Sequence, residues 1–159
     1  MKHLMATIIM LVSLTFSIAA GCSRDNGQAT TADINNEDTN DSIGGKMKIT
    51  VGTAVFTATM NNNATATAFK AKLPLTITMT ELNGNEKYHD FPDALPANAS
   101  NPSTIQTGDL LLYGANTIVL FYKTFSTSYS YTSIGRVDNP SGLAAALGAR
   151  DVVVKFELE

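Results

Sequence analysis

The sequence has one cysteine, no tryptophan and only two histidines in 159 residues. A disulfide within the chain needs a second cysteine, and a His/Cys metal cage needs several such ligands, so both are excluded. Charge is sparse too: 16% of residues are Asp, Glu, Lys or Arg, and the net charge is -3. Without a basic excess nothing meets a phosphate backbone, and nucleic acid is not an expected partner. No internal repeat is visible. The 44% of hydrophobic residues excludes a wholly disordered or collagen-like chain, and the length suits one domain.

What is present begins with an address. Met1-Lys2-His3 precedes Leu4 to Ala20, a run without a charge. A short basic start, an apolar stretch and small residues at its end describe a secretory signal. The run ends in Ile18-Ala19-Ala20-Gly21-Cys22-Ser23. This resembles the lipobox of bacterial lipoproteins, although the family usually has Leu where Ala19 stands. The resemblance implies cleavage after Gly21, acylation of Cys22 and attachment to a membrane of the bacterial cell envelope, inner or outer. Several acyl chains would hold the protein firmly on a bilayer.

Residues 22–45 carry Asp25, Asp33, Glu37, Asp38 and Asp41 against Arg24, with many Asn and Thr and no aromatic. Such a segment cannot bury enough apolar surface to offset its ordering entropy, and it reads as a flexible acidic tether. Asp33 to Asp38 lacks the glycine and the closing glutamate of a calcium loop.

Residues 46–159 form the domain, with nine Lys or Arg balancing nine Asp or Glu. Met47, Ile49 and Val51 alternate with polar residues, as do Leu75, Ile77 and Met79, which predicts strands with one buried face. Gly52-Thr53 and Asn83-Gly84 supply turns. Leu110 to Tyr113 and Ile118 to Tyr122 are apolar throughout, so both their faces are expected to be buried, the outer one under a cover such as a helix. Two helices are predicted. One follows Asn62 or Asn63 and ends before Pro74; the other has Pro140 at its first position and stops at Gly148. The expected fold is mostly β, a closed antiparallel barrel capped by two short helices.

These segments resemble the bacterial cyclophilin-like proteins. The matching stretches are MKITVGTAVFTATM, LPLTITMTELNGNEKYHDF, IQTGDLLLYGANTIVLFYKTF and SYSYTSIGRVDNPSGLAAALG. The resemblance implies a minimal cyclophilin-like barrel. Full cyclophilins isomerise X-Pro bonds with an Arg beside an apolar pocket, but their Phe-His-Arg run is absent: His89 is followed by Asp90. No catalytic residue is therefore carried over, and a divergent peptidyl-prolyl isomerase is the alternative to a binding module. Some family members are joined to flavodoxin-like domains, which implies a redox protein as a conceivable partner. The chain has no phosphate loop for a flavin, and no cofactor or metal is expected.

The candidate ligand site is aromatic. All five tyrosines lie between Tyr88 and Tyr131. Tyr129 and Tyr131 are expected on one strand face, with Tyr113, Phe121 and Tyr122 on the neighbouring hairpin. Tyrosines combine a flat apolar body with a polar tip, which suits a peptide or small ligand. Glu86 and Tyr88 are expected at the barrel mouth, and Arg136 would add a fork for an anion. The competing reading makes these rings barrel packing and Arg136 a brace for the second helix. The Pro-rich loop from Phe91 to Thr104 is expected either to overhang the tyrosines or to close the barrel.

Overall fold

The structure, a computed structural model, describes residues 44–159; Cys22, the leader and most of the tether lie outside them. Ten strands alternate with two helices: β1 (Lys46–Val51), β2 (Ala54–Met60), α1 (Ala64–Lys70), β3 (Leu75–Leu82), β4 (Glu86–Asp90), β5 (Thr104–Ile105), β6 (Asp109–Tyr113), β7 (Thr117–Phe121), β8 (Phe125–Ser126), β9 (Tyr131–Val137), α2 (Leu143–Leu147) and β10 (Val152–Leu158). Eight strands close a barrel in the order β1-β10-β3-β4-β7-β6-β9-β2, and β5 pairs with β8 outside it. Among the described residues no helix is long and apolar enough to cross a membrane.

Period-two alternation sets the inside. Met47, Ile49 and Val51 of β1 are buried, as are Val154 and Phe156 of β10. Their registers, Ile49 opposite Phe156 and Val51 opposite Val154, place these side chains on the same interior face. The turns use residues that accept left-handed backbone: Gly52 has φ +59, and Asn83 and Gly84 have φ +55 and +68. Two successive left-handed residues suit the twist of a hairpin, and Asn85 N–H closes this one on Leu82 O at 3.3 Å.

Helix α1 starts at Asn63, whose side chain accepts from Ala66 N–H. It ends at Lys70, earlier than Pro74 alone requires, because Lys72 and Leu73 N–H turn back to Phe69 O and Lys70 O. Its Phe69 packs edge-on against Phe156, centroids 5.6 Å apart. Helix α2 is shorter than expected: Pro140 lies before it, and Gly142 in a left-handed conformation begins it. The loop after β4 closes the barrel and pairs with Tyr131 through Ser100, whose N–H donates to Tyr131 O at 2.9 Å, but it does not line the tyrosine cavity. Phe91 and Leu95 enter the core, Leu95 N–H donates to Ala115 O at 2.7 Å, and Thr65 Oγ1 of α1 donates to Pro96 O at 2.6 Å.

Among the described residues the interior holds one ion pair. Lys87 of β4 is fully buried. Its Nζ meets the Glu81 carboxylate and donates to Gly148 O at 2.9 Å and Arg150 O at 2.7 Å, which fixes the end of α2 to the barrel. Tyr122 Oη donates to both Glu81 oxygens, at 2.8 and 2.9 Å. The strands that close the barrel also bring its two ends together: Glu159 N–H donates to Lys46 O at 3.2 Å.

Candidate functional site

Leu111, Val119 and Phe121 on the outer faces of β6 and β7 are buried, as their uninterrupted apolar runs predict, but Tyr113 is exposed and the cover is not a helix. Ile105 of β5 and Phe125 of β8 lie over Leu111, Val119, Phe121 and Tyr131 as a second cluster outside the barrel. This ribbon covers only part of the wall. Beside it lies a cavity of about 390 Å³, lined from the β3–β4 turn, β4, β6, β7 and the segment from Phe125 to Tyr131.

Strand parity explains the lining. Lys87 faces the interior, so Glu86, Tyr88 and Asp90 share the outer face of β4. They stand opposite Phe121, Val119 and Thr117 of β7. On the far wall Tyr113 pairs with Tyr131 at the end of β6. Tyr113 is the hub of the rings: its centroid is 5.6 Å from that of Tyr131, with planes 51° apart, and 6.0 Å from that of Tyr129, at 88°. Tyr131 stands edge-on to Phe121 at 5.6 Å, and Phe125 packs on Phe121 at 5.7 Å.

The polar groups are few. Thr117 Oγ1 donates to Asp90 Oδ1 at 2.6 Å. Asn85 lines the cavity, and its buried Oδ1 has no hydrogen-bond partner among the described residues. Burial pushes the Glu86 carboxyl above its ordinary range, and the charge of Glu81 adds to the rise. Burial and the Glu86 charge raise the Tyr131 phenol.

Five of the eight residues expected in the domain's ligand site line this cavity: Glu86, Tyr88, Tyr113, Tyr129 and Tyr131. Three do not. Phe121 is fully buried beneath Tyr131 and Phe125. Tyr122, one residue on, faces the barrel interior and is bound to Glu81, where burial and that hydrogen bond push its phenol up to about 12.

Arg136 is the third exception. It pairs with Asp109 at the start of β6, whereas Tyr131 pairs with Tyr113 at its end. Four residues of strand separate the two positions by about 13 Å. The Arg136 side chain is half exposed, with Nε 3.6 Å from Asp109 Oδ1. It borders a separate polar recess with Thr59, Asn61, Asp138 and Pro140. It neither braces α2 from a buried position nor overlooks an apolar groove. Tyr129 also departs from expectation: it precedes β9 and is 60% exposed, not seated on a strand face.

Asp90 and Phe125 were not read from the sequence as site residues. Asp90 had a signal, since it continues the Glu86, Tyr88 alternation. Phe125 had none, because its place depends on the pairing of two-residue strands far apart in the chain. His89 turns to the opposite face from Asp90, with Nδ1 3.0 Å from Thr78 O, so the two do not form a dyad. Among the described residues no three His, Cys, Asp or Glu side chains gather as a metal site would require.

The sequence profile of the cyclophilin-like family matches residues 49–157. Among solved structures, the chain is similar to the solution structure of a hypothetical protein from Archaeoglobus fulgidus. The TM-score is 0.57 and the identity 20%, over 74% of this chain and 97% of that one. At that identity the likeness concerns the fold alone. No curated protein matches the chain.

Proposed function

The chain belongs to the cyclophilin-like family, and we propose, from the lipobox-like run that ends at Cys22, that it is a lipid-anchored binding module of the bacterial cell envelope. It holds a peptide or small ligand in the tyrosine cavity and performs no chemistry of its own. The observation that carries this reading is the partial cover on the outer wall. The ribbon of β5 and β8 buries Phe121 and Leu111 but leaves Tyr113 and Tyr129 exposed beside the cavity. Exposed rings around a concavity suit a ligand better than they suit water.

Isomerase chemistry in the full cyclophilins needs an Arg beside the apolar pocket. None lines this cavity, and Arg136 sits at the other end of β6. The tether of residues 22–45 would let the module sample space near the membrane to which acylated Cys22 attaches.

A screen of peptides, sugars and flavins against the full chain in non-ionic detergent, read by NMR of the tyrosine rings, tests the reading. Binders should shift Tyr113 and Tyr129, and Tyr129→Ala should weaken them by about 1–2 kcal/mol through lost aromatic contact. Tyr129 is the better probe than Tyr131, whose ring also supports the cluster around Phe121. Cys22→Ala should abolish acyl labelling. Acceleration of X-Pro exchange, which takes tens of seconds or more unaided, would replace the module with an enzyme.

A further inference from the structure

Resting on the reading of the tyrosine cavity as a ligand site, we infer that its ligand is a small organic ammonium ion, with the cationic head among Tyr113, Tyr129 and Tyr131 beside Glu86. The first ground is charge. The charged residues in the lining are Glu86 and Asp90, and no Lys, Arg or His lines it. Lys123 comes near Gly84 at the β3–β4 turn but does not line the cavity. An anion would meet two carboxylates and the negative faces of several rings, so anionic ligands are disfavoured.

The second ground is the unequal condition of the two acids. Asp90 accepts from Thr117, but among the described residues the Glu86 carboxylate has neither a hydrogen-bond donor nor an ion-pair partner. A neutral occupant without a donor would strip more water from Glu86 and return nothing, whereas an ammonium ion supplies the missing opposite charge.

The third ground is the rings. Tyr113 meets Tyr131 at 51° and Tyr129 at 88°. All three rings line the cavity, and a tyrosine ring attracts a cation held within about 6 Å of its centroid, as the aromatic cages for alkylated ammonium groups do. Among the described residues the cation–π pairs are Lys72 with Phe91 and Lys87 with Tyr122. Neither involves a ring that lines the cavity. At about 390 Å³ the cavity exceeds one ammonium head, so the ligand carries a further substituent.

Choline and its neutral isostere 3,3-dimethylbutan-1-ol share a shape and differ in charge. Each would be titrated into the full chain in non-ionic detergent, with tyrosine ring NMR and calorimetry as readouts. Choline is expected to bind at least about tenfold more tightly than the isostere. Glu86→Gln, which keeps the side chain's shape, should weaken choline by about fivefold or more through lost coulombic attraction and leave the isostere unweakened. Tyr129→Ala, at an exposed position, should weaken choline independently of any effect of Glu86 on folding. Equal or tighter binding of the isostere overturns the cation assignment but leaves the cavity as a ligand site. Failure of choline to shift the tyrosines at millimolar concentration also overturns the assignment, while the wider screen still decides on the cavity.

Discussion

Glu86 and Lys87 are neighbours with opposite fates, because successive residues of a strand face opposite ways. Lys87, inside, has a partner in Glu81. Burial pushes Glu81 up, but the hydrogen bonds from Lys87 and Tyr122 outweigh it, and the net displacement is downward. A carboxyl lowered in the folded state contributes stability above its ordinary value of 4.5, lost as pH falls through the lowered one. Lys87→Ala should lower unfolding free energy by about 3–5 kcal/mol, since it removes the charge partner of Glu81 and the donor to Gly148 O and Arg150 O; Lys87→Met with Glu81→Gln should recover part of that. Chemical denaturation of the three proteins checks it. Glu86 has the opposite sign. Its carboxyl is raised, so its charge opposes folding once pH exceeds the raised value, and the effect vanishes below 4.5, its ordinary value. Glu86→Gln should therefore raise the denaturant midpoint at neutral pH and leave it unchanged in acid. A stability gain paired with a binding loss is the signature of a residue retained for function.

At the scale of elements, alternation and turn chemistry made the barrel legible in the sequence. Met47, Ile49 and Val51, the glycine turn after them, and the Asn63 cap each announce a local geometry that the fold then uses. The same parity could have removed Tyr122 from the candidate site, because Phe121 before it faces out. Arg136 was legible in part: five residues beyond Tyr131 in one strand, it stands too far along to join the same rings. The β6–β9 ladder slips between Leu110 and Leu111, so that Leu110 faces Gly135 and Leu111 faces Ser133. This bulge changes the phase of every later side chain, and Gly135, a glycine inside a strand, is its mark in the sequence. The ribbon of β5 and β8 was hidden, since two-residue strands carry no period. Near the bulge, Gly135 lets β9 approach β2: a Cβ there would lie 2.5 Å from Thr59 O and 3.0 Å from Met60 Cα. Both are backbone atoms, so the strands would have to part. Gly135→Ala should cost about 1–3 kcal/mol in thermal or denaturant unfolding, although its backbone needs no left-handed angle.

For the whole molecule, barrel closure leaves no unpaired edge among the eight strands, and the tyrosine cavity lies on the outer wall. The same closure sets a mechanical property. Lys46 and Glu159 leave from the same end of the antiparallel β1–β10 pair, where Met47 faces Leu158. Tension applied between these two residues acts along the inter-strand hydrogen bonds and concentrates on one rung at a time, as in opening a zipper. A shear geometry would instead load all the rungs together. Pulling at Lys46 and Glu159 in a single-molecule instrument should thus open the barrel at low force, beginning at Met47 and Leu158. Attachment at Thr53 and Glu159, which loads β1–β10 closer to shear, should require more. A domain anchored at one end only never meets that peeling load, whereas one strung between two fixed points would unfold under it.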